Sequence, residues 1–318
     1  MILEPVPSDV AVAGLRSVKT VCLTTHSTLS ELQSRLIEGI QTYILKTHLP
    51  VNELTRIEPQ QLAEAVSDPH FRERIIKACV LAACIDGEMD SKAVAQTKLF
   101  ADALGVVPDL ITTARHLAEG QIALSRIDII RRSLPGVKIR QVVREKGILK
   151  MLKQALPLVG FRLPDVTRRY RALADYPEGT LGREYMHYIE KNKFPLPGEK
   201  GSGPEIIVIH DCLHILGDYG TTASEEIEIA AFQAGCQAED PIYGILFGLA
   251  QYHLNVRMAP VAPAQSLQGD PKALLAAFTR GCRVKRDMWR DFDPWNYFAR
   301  PVTELRHEFG ILPKDAPP

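Results

Sequence analysis

From Gly201 to Val256 the chain contains no lysine and no arginine, although the same stretch carries eight carboxylates and three histidines. A carboxylate buried there finds no cationic side chain within its own segment. Other absences narrow the field. The six cysteines, at 22, 79, 84, 212, 236 and 282, form no CxxC pair and no disulfide-framework spacing, which predicts reduced thiols and a cytoplasmic setting. The longest uncharged stretch, Pro241 to Val256, is sixteen residues and includes Gln251, His253 and Asn255. It is too short and too polar to span a bilayer. Met1 to Ser17 has no basic region ahead of an apolar run, so no signal peptide is expected. There is no GxSxG, no P-loop and no convincing Ser-His-Asp arrangement, and Gly198, Gly201 and Gly203 precede no strand-helix unit that could hold a dinucleotide. A net charge of zero argues against bulk nucleic-acid binding.

What is present is mostly helical pattern. With 318 residues and 46% hydrophobic content the chain can build a substantial core in about two domains. Leu29, Leu32, Leu36, Ile37, Ile40, Tyr43 and Ile44 follow a helical period. Further helices are expected from Ile57 with Pro59 in its first turn, over Phe71–Ala83 and over Ala93–Leu104. The predicted fold class is all-α: two helical domains, at 20–132 and 145–312, with a metal site at the bend between two helices of the second.

That site is read from His210-Asp211-Cys212-Leu213-His214, followed after eleven residues by Glu226. Glu205–Leu216 reads as a buried helix, so His210 and His214 share one face and Asp211 lies about 100° away. Gly217 and Gly220 are candidates to stop this helix, and a second starts near Thr222. Thr222 and Glu225 have the spacing of a capping box, which leaves Glu226 facing the side shared with Ile229, Ala230 and Gln233. An unpaired carboxylate there is costly, and a divalent cation removes the cost. The carbonyl end of the first helix is expected to add negative potential. His210, His214 and Glu226 are therefore candidate ligands and catalytic residues, and Asp211 is either a further ligand or an orienting group. Two imidazoles and two carboxylates suit zinc, manganese or iron better than magnesium. The bland alternative is a pair of core histidines bonded to backbone carbonyls. Cys212 points away from this face and reads as core.

The motif resembles the signature of the coenzyme Q (ubiquinone) biosynthesis protein 4 family. Tyr176 to Tyr185 (YPEGTLGREY) is similar to that family's P-x-G-(S/T)-(F/L)-G-x-x-Y segment, and Trp295 with Pro301–Ile311 is similar to its closing helix. One departure is the apolar approach to the motif, Ile206 to Ile209. The resemblance covers about half the chain. It implies a role in ubiquinone biosynthesis and a polyprenylated benzenoid lipid as ligand. It also implies peripheral association with the inner face of the cell membrane and contact with the other biosynthetic enzymes, with a homodimer left open. The associated chemistry is oxidative decarboxylation, in which a hydroxyl replaces the ring carboxylate of a polyprenyl hydroxybenzoate. A non-catalytic lipid-binding scaffold is the alternative. A phosphohydrolase of the HD type is a further one, with His187 and Asp218 as the nearest extra ligands.

Two other segments carry expectations. Cys84–Ser91, with Phe100–Gly105, resembles the corner of the TerB-like (tellurite-resistance) helical domain. Here Gly87 is expected to end a helix and Asp90 or Ser91 to begin the next, with a metal role for Asp86, Glu88 and Asp90 as the alternative. Between 138 and 171 stand ten basic residues against two acids. Within it Gly147–Val159 is apolar with lysines at 146, 150 and 153. Composition alone favours a core helix with a solvated lysine face, and the alternative is a helix lying on an anionic membrane surface. Helix 241–257, with Gly244 and Gly248, is expected to line an apolar pocket or to pack closely on a neighbour, and His253 on it to be structural.

Overall fold

The computed structural model describes residues 4–107, 109–237, 240–259 and 262–316. Its amino-terminal half is a set of short helices, most with an identifiable start. Helix α1 (Ser8–Cys22) is followed by α2 (Glu31–Gly39), which Ser30 and Gln33 open with a reciprocal capping box. A π-helical continuation runs to Leu45. α3 (Pro59–Ala65) and α4 (Pro69–Ala82) both begin on proline, whose missing N–H costs nothing in a first turn. Asp90 caps α5 (Ser91–Leu104) by accepting from Ala93 N–H at 2.8 Å. α6 (Asp109–Ala118) and α7 (Ile122–Arg132) complete this half.

The second half runs α8 (Leu134–Lys146), α9 (Ile148–Ala155), α10 (Pro164–Arg171), α11 (Leu181–Asn192), α12 (Ile207–Gly217), α13 (Ala223–Gly235), α14 (Ile242–Tyr252), α15 (Pro271–Cys282) and α16 (Val302–Phe309). The fold is all-α: the described residues contain sixteen α-helices and no strand, only the isolated bridges Thr180–Pro301 and Leu254–Ser266. None of the helices is long and apolar enough to cross a membrane. The core reading of the 147–159 segment is overturned, because no residue of α9 is buried. The expected helix 241–257 stops at Tyr252. Beyond it the backbone turns back, with Val256 N–H on Ala250 C=O at 2.8 Å and Asn255 at φ 54°.

α13 is the hub. It packs against α12, α14 and α15. Its approach to α15 is close enough that a Cβ on Gly235 would stand 2.3 Å from the Phe278 carbonyl, and one on Gly281 2.1 Å from that of Phe232. Gly248 of α14 performs the same service, facing Ala230, so close packing is what its small side is for. One connected core runs from Val10 to Ile311. The two halves meet through α2 on α15 and α7 on α14, with Arg35 paired to Asp270 and Lys272 to Glu38. His253, fully buried, donates from Nε2 to Ile85 C=O at 2.8 Å and accepts the Gly269 N–H on Nδ1 at 3.0 Å. Its role is structural.

Candidate metal centre

Helix α12 is apolar almost all round, so it sits inside the bundle, and its few polar side chains meet only what its neighbours present. The chain leaves it at Asp218, which takes the left-handed conformation at φ 58°. The stop is thus neither Gly217 nor Gly220. Gly217 lies within the helix, under the Tyr219 ring. Gly220 is small because the Glu225 carboxylate lies against it, 2.4 Å from where a Cβ would be. Glu225 accepts from Gly220 N–H at 2.9 Å and from the Thr222 hydroxyl at 2.7 Å, closing the expected capping box of α13. The tight bend places Glu226 opposite the histidines.

His210 Nε2 and His214 Nε2 are 3.0 Å apart. The Glu226 carboxylate lies 3.5 Å from the first and 3.6 Å from the second. Donor atoms bonded to one cation at about 2.1 Å stand roughly 3.0–3.4 Å from each other in octahedral or tetrahedral geometry, so the spacing suits a single ion. The outer nitrogens are anchored as well. His214 Nδ1–H donates to Tyr219 C=O at 3.3 Å, which leaves its Nε2 lone pair facing inward. The Gln233 side-chain amide lies 2.7 Å from His210 Nδ1, and with its carbonyl turned there it accepts the Nδ1–H of an inward-coordinating ring. The backbone-bonded core pair expected as the bland alternative therefore holds for one nitrogen of His214 only. His214 is sealed beneath Tyr188, with ring centroids 5.5 Å apart, while His210 keeps 29% of its side chain exposed. One side of the site is open to a ligand.

Electrostatics follow from this crowding. Burial opposes charge on His210, but the Glu226 hydrogen bond and charge, with Asp211 and Gln233 behind them, push its pKa up to about 9. Burial and the charge on His210 push His214 down to about 4. Burial works against the Glu226 carboxylate too, yet the two histidines hold it below its usual range. A positive charge belongs at the meeting point of these three side chains, and no lysine or arginine pairs with Glu226 among the described residues. Arg306 and Arg280 do reach this end of α12 from outside the segment. Arg306 donates to Ile215 C=O at 2.8 Å and Leu216 C=O at 3.0 Å, and Arg280 to Gly217 C=O at 2.7 Å. The expected negative potential of the helix end is therefore answered by two guanidiniums, and attraction for a cation rests on the side chains.

Of the four candidate residues the structure brings three together: ligand atoms of His210, His214 and Glu226 all lie within 4.8 Å of one another. Asp211 is buried beside them without joining that group. Burial, against the pull of His210 and with that of Glu226, raises its carboxyl to about 7. Burial and then the Asp211 charge push up the phenols of Tyr185 and Tyr188. Tyr185 is fully buried, and its hydroxyl has no hydrogen-bond partner among the described residues. Cys212 is core, as expected.

His187 and Asp218 do not join the cluster either. His187 sits with Glu178 and Glu184 in a separate, more exposed group where Arg183 holds Glu178 at 2.8 Å. In the amino-terminal corner Asp86 accepts from Ser30 Oγ at 2.5 Å and Gln33 Nε2 at 2.6 Å, and Asp90 is a helix cap. Asp86, Glu88 and Asp90 form no ligand group among the described residues, which leaves the turn reading, but Gly87 does not end the helix: α4 stops at Ala82, and Gly87, at φ 93°, lies in the turn that follows.

Gln233, Tyr188, Arg280 and Arg306 were not legible as site residues. Gln233 had a signal, since it lies on the same face of α13 as Glu226. The arginines come from distant segments and had none. Compared with known proteins, the chain matches no family model and no curated sequence.

Proposed function

We propose that this protein acts in ubiquinone biosynthesis, holding a divalent cation on His210, His214 and Glu226 and binding a polyprenylated benzenoid intermediate beside it. The observation that carries the metal reading is the convergence of three ligand atoms from two helices, with both outer imidazole nitrogens anchored. The benzenoid reading rests on the resemblance of residues 145–312. Its separate segments are neighbours in the fold: Gly182 N–H bonds Phe298 C=O and Val302 N–H bonds Gly179 C=O, both at 2.9 Å, and α16 packs on α12.

The reaction that fits is oxidative decarboxylation: the ring carboxylate leaves as carbon dioxide, one atom of dioxygen becomes the incoming hydroxyl, and an external two-electron donor with two protons carries the other atom to water. A bound zinc, iron or manganese ion supplies Lewis acidity toward a ring carboxylate or phenolate, and a redox metal adds access to dioxygen. The chain's own residues do the rest. His214 and Glu226, buried, set a rigid inner wall, and His210 forms the accessible edge at which substrate arrives. Tyr188 covers the inner imidazole and keeps water from it. Asp211 stays outside the ligand group and acts on His210 through its charge alone.

Metal analysis of protein purified without added metal or chelator, wild type beside His210→Ala and Glu226→Gln, tests the site. Near-stoichiometric metal lost in both variants is expected, with loss of hydroxylated product from a short-chain prenyl hydroxybenzoate. Wild-type protein that stays metal-free after reconstitution would sink the metal mechanism. Metal retained with lipid bound but never turned over would favour the non-catalytic scaffold that organises the other biosynthetic enzymes.

A further inference from the structure

Segment 148–161 holds half of the large apolar side chains that the described surface exposes. Ile148, Leu149, Leu152, Val159 and Phe161 are each between 58% and 79% exposed. Soluble surfaces scatter such residues singly, and a run of them marks a surface that something covers. At 100° per residue Ile148, Leu152 and Leu149 span about 100° of α9, and Lys153 and Lys150 continue the arc on one margin. The opposite side faces the protein, where Gln154 Nε2 donates to Glu205 at 2.8 Å. The helix is therefore anchored, with its apolar arc turned outward by design of the sequence rather than by fraying.

Charge indicates what covers it. No acidic residue occurs between 146 and 164. Lys150, Lys153, Arg162 and Lys200 are exposed, and among the described residues none of them has an acidic partner. Lys200 stands beside Gly160, 3.7 Å from where a Cβ would be. Apolar side chains bordered by unpaired cations match an anionic bilayer, whose acyl boundary takes the leucines and whose headgroups take the ammonium and guanidinium groups. A second copy of the chain would set the same cations against themselves.

We infer that residues 148–161 are a membrane-docking face that seats this protein on an anionic lipid surface. The face adjoins a cleft of about 500 Å³ whose walls include Lys150 and Gln154, with Ile206 just before α12 and Ile209 within it. Ile209 immediately precedes His210 in α12, but none of His210, His214 and Glu226 lines the cleft itself. The docking does not depend on the metal or on the benzenoid reading.

The test is flotation of the full-length protein with vesicles of phosphatidylcholine alone or with about a third phosphatidylglycerol. Wild type is expected to float with the anionic vesicles, less so in high salt. Leu149→Glu/Leu152→Glu should lower the bound fraction at least about tenfold, and Lys150→Glu/Lys153→Glu several-fold. Because these side chains are exposed, circular dichroism and metal content should match wild type, which separates this result from failure of the metal site. Wild type that ignores anionic vesicles, or a Leu149→Glu/Leu152→Glu variant that binds as well as wild type, overturns the proposal. So does a wild-type dimer that the same variant converts to monomer with vesicle binding unchanged, which would make the face a contact between copies.

Discussion

At the residue scale the candidate metal centre depends on two kinds of group: those that point at the proposed ion position and those that hold the pointing groups still. His210, His214 and Glu226 are of the first kind. Gln233 is of the second, and it acts only through His210 Nδ1. Gln233→Ala is therefore expected to leave all three ligands in place and still weaken zinc or manganese binding by about 10–100-fold, measured by competition with a chelating dye. Gln233→Glu, which keeps an acceptor at Nδ1, should recover most of the loss. The ligand spacing was legible in the sequence, because i, i+4 histidines on a helix must share a face. The partner of the outer nitrogen was not, because a seven-residue offset along α13 names a face without saying which side chain faces it across the gap.

At the element scale the site depends on how closely α13 can lie against its neighbours. Gly235 and Gly281 let backbone meet backbone between α13 and α15, with no side-chain layer between them. Gly281→Ala places a methyl group on the Phe232 carbonyl and forces the helices apart. The expected cost is about 1–3 kcal/mol of stability, read as a lower urea midpoint. Cation affinity should fall with it, because Glu226 rides on the displaced helix. Helix identities here follow from local rules: Thr222 and Glu225 announce the start of α13, and Asp90 that of α5. Their ends were harder to read. Asp218 rather than a glycine takes the left-handed turn after α12, and α14 stops five residues early because the backbone beyond it bonds back onto the helix and onto Gln265. α9 was misjudged for a related reason. Its apolar arc is real, but periodicity tells which residues share a face and not whether another element arrives to bury it.

At the scale of the whole molecule, His253 ties the amino-terminal corner to the carboxy-terminal half through Ile85 C=O and Gly269 N–H. Burial holds its pKa below the ordinary value of 6.5, against the opposing pull of the Ile85 bond and Asp86. A group held neutral in this way contributes stability that is complete above 6.5 and is lost as pH falls through the folded-state value. His253→Asn is thus expected to cost about 2–4 kcal/mol at pH 8, from two buried hydrogen bonds. The deficit should narrow as pH falls from 8 toward 5, since only wild type then pays for protonation. Urea titrations of both proteins at the two pH values give the comparison, and a deficit that stays constant or widens at low pH would contradict it.

The amino-acid sequence by itself determined the all-α class, the cap that begins α13, the start of α5 to within one residue (Asp90 or Ser91), the core place of Cys212, and the side chains that converge at the candidate metal centre. Each of these follows from local sequence pattern, where helical geometry leaves few choices. Only the tertiary structure decided that Arg280 and Arg306 close the end of α12, that Gln233 and Tyr188 hold the histidines, that Asp211 stands aside with Tyr185, and that α9 lies uncovered. Those outcomes depend on which distant segments come into contact, and contacts between elements are set by packing of the whole chain rather than by any pattern within one of them.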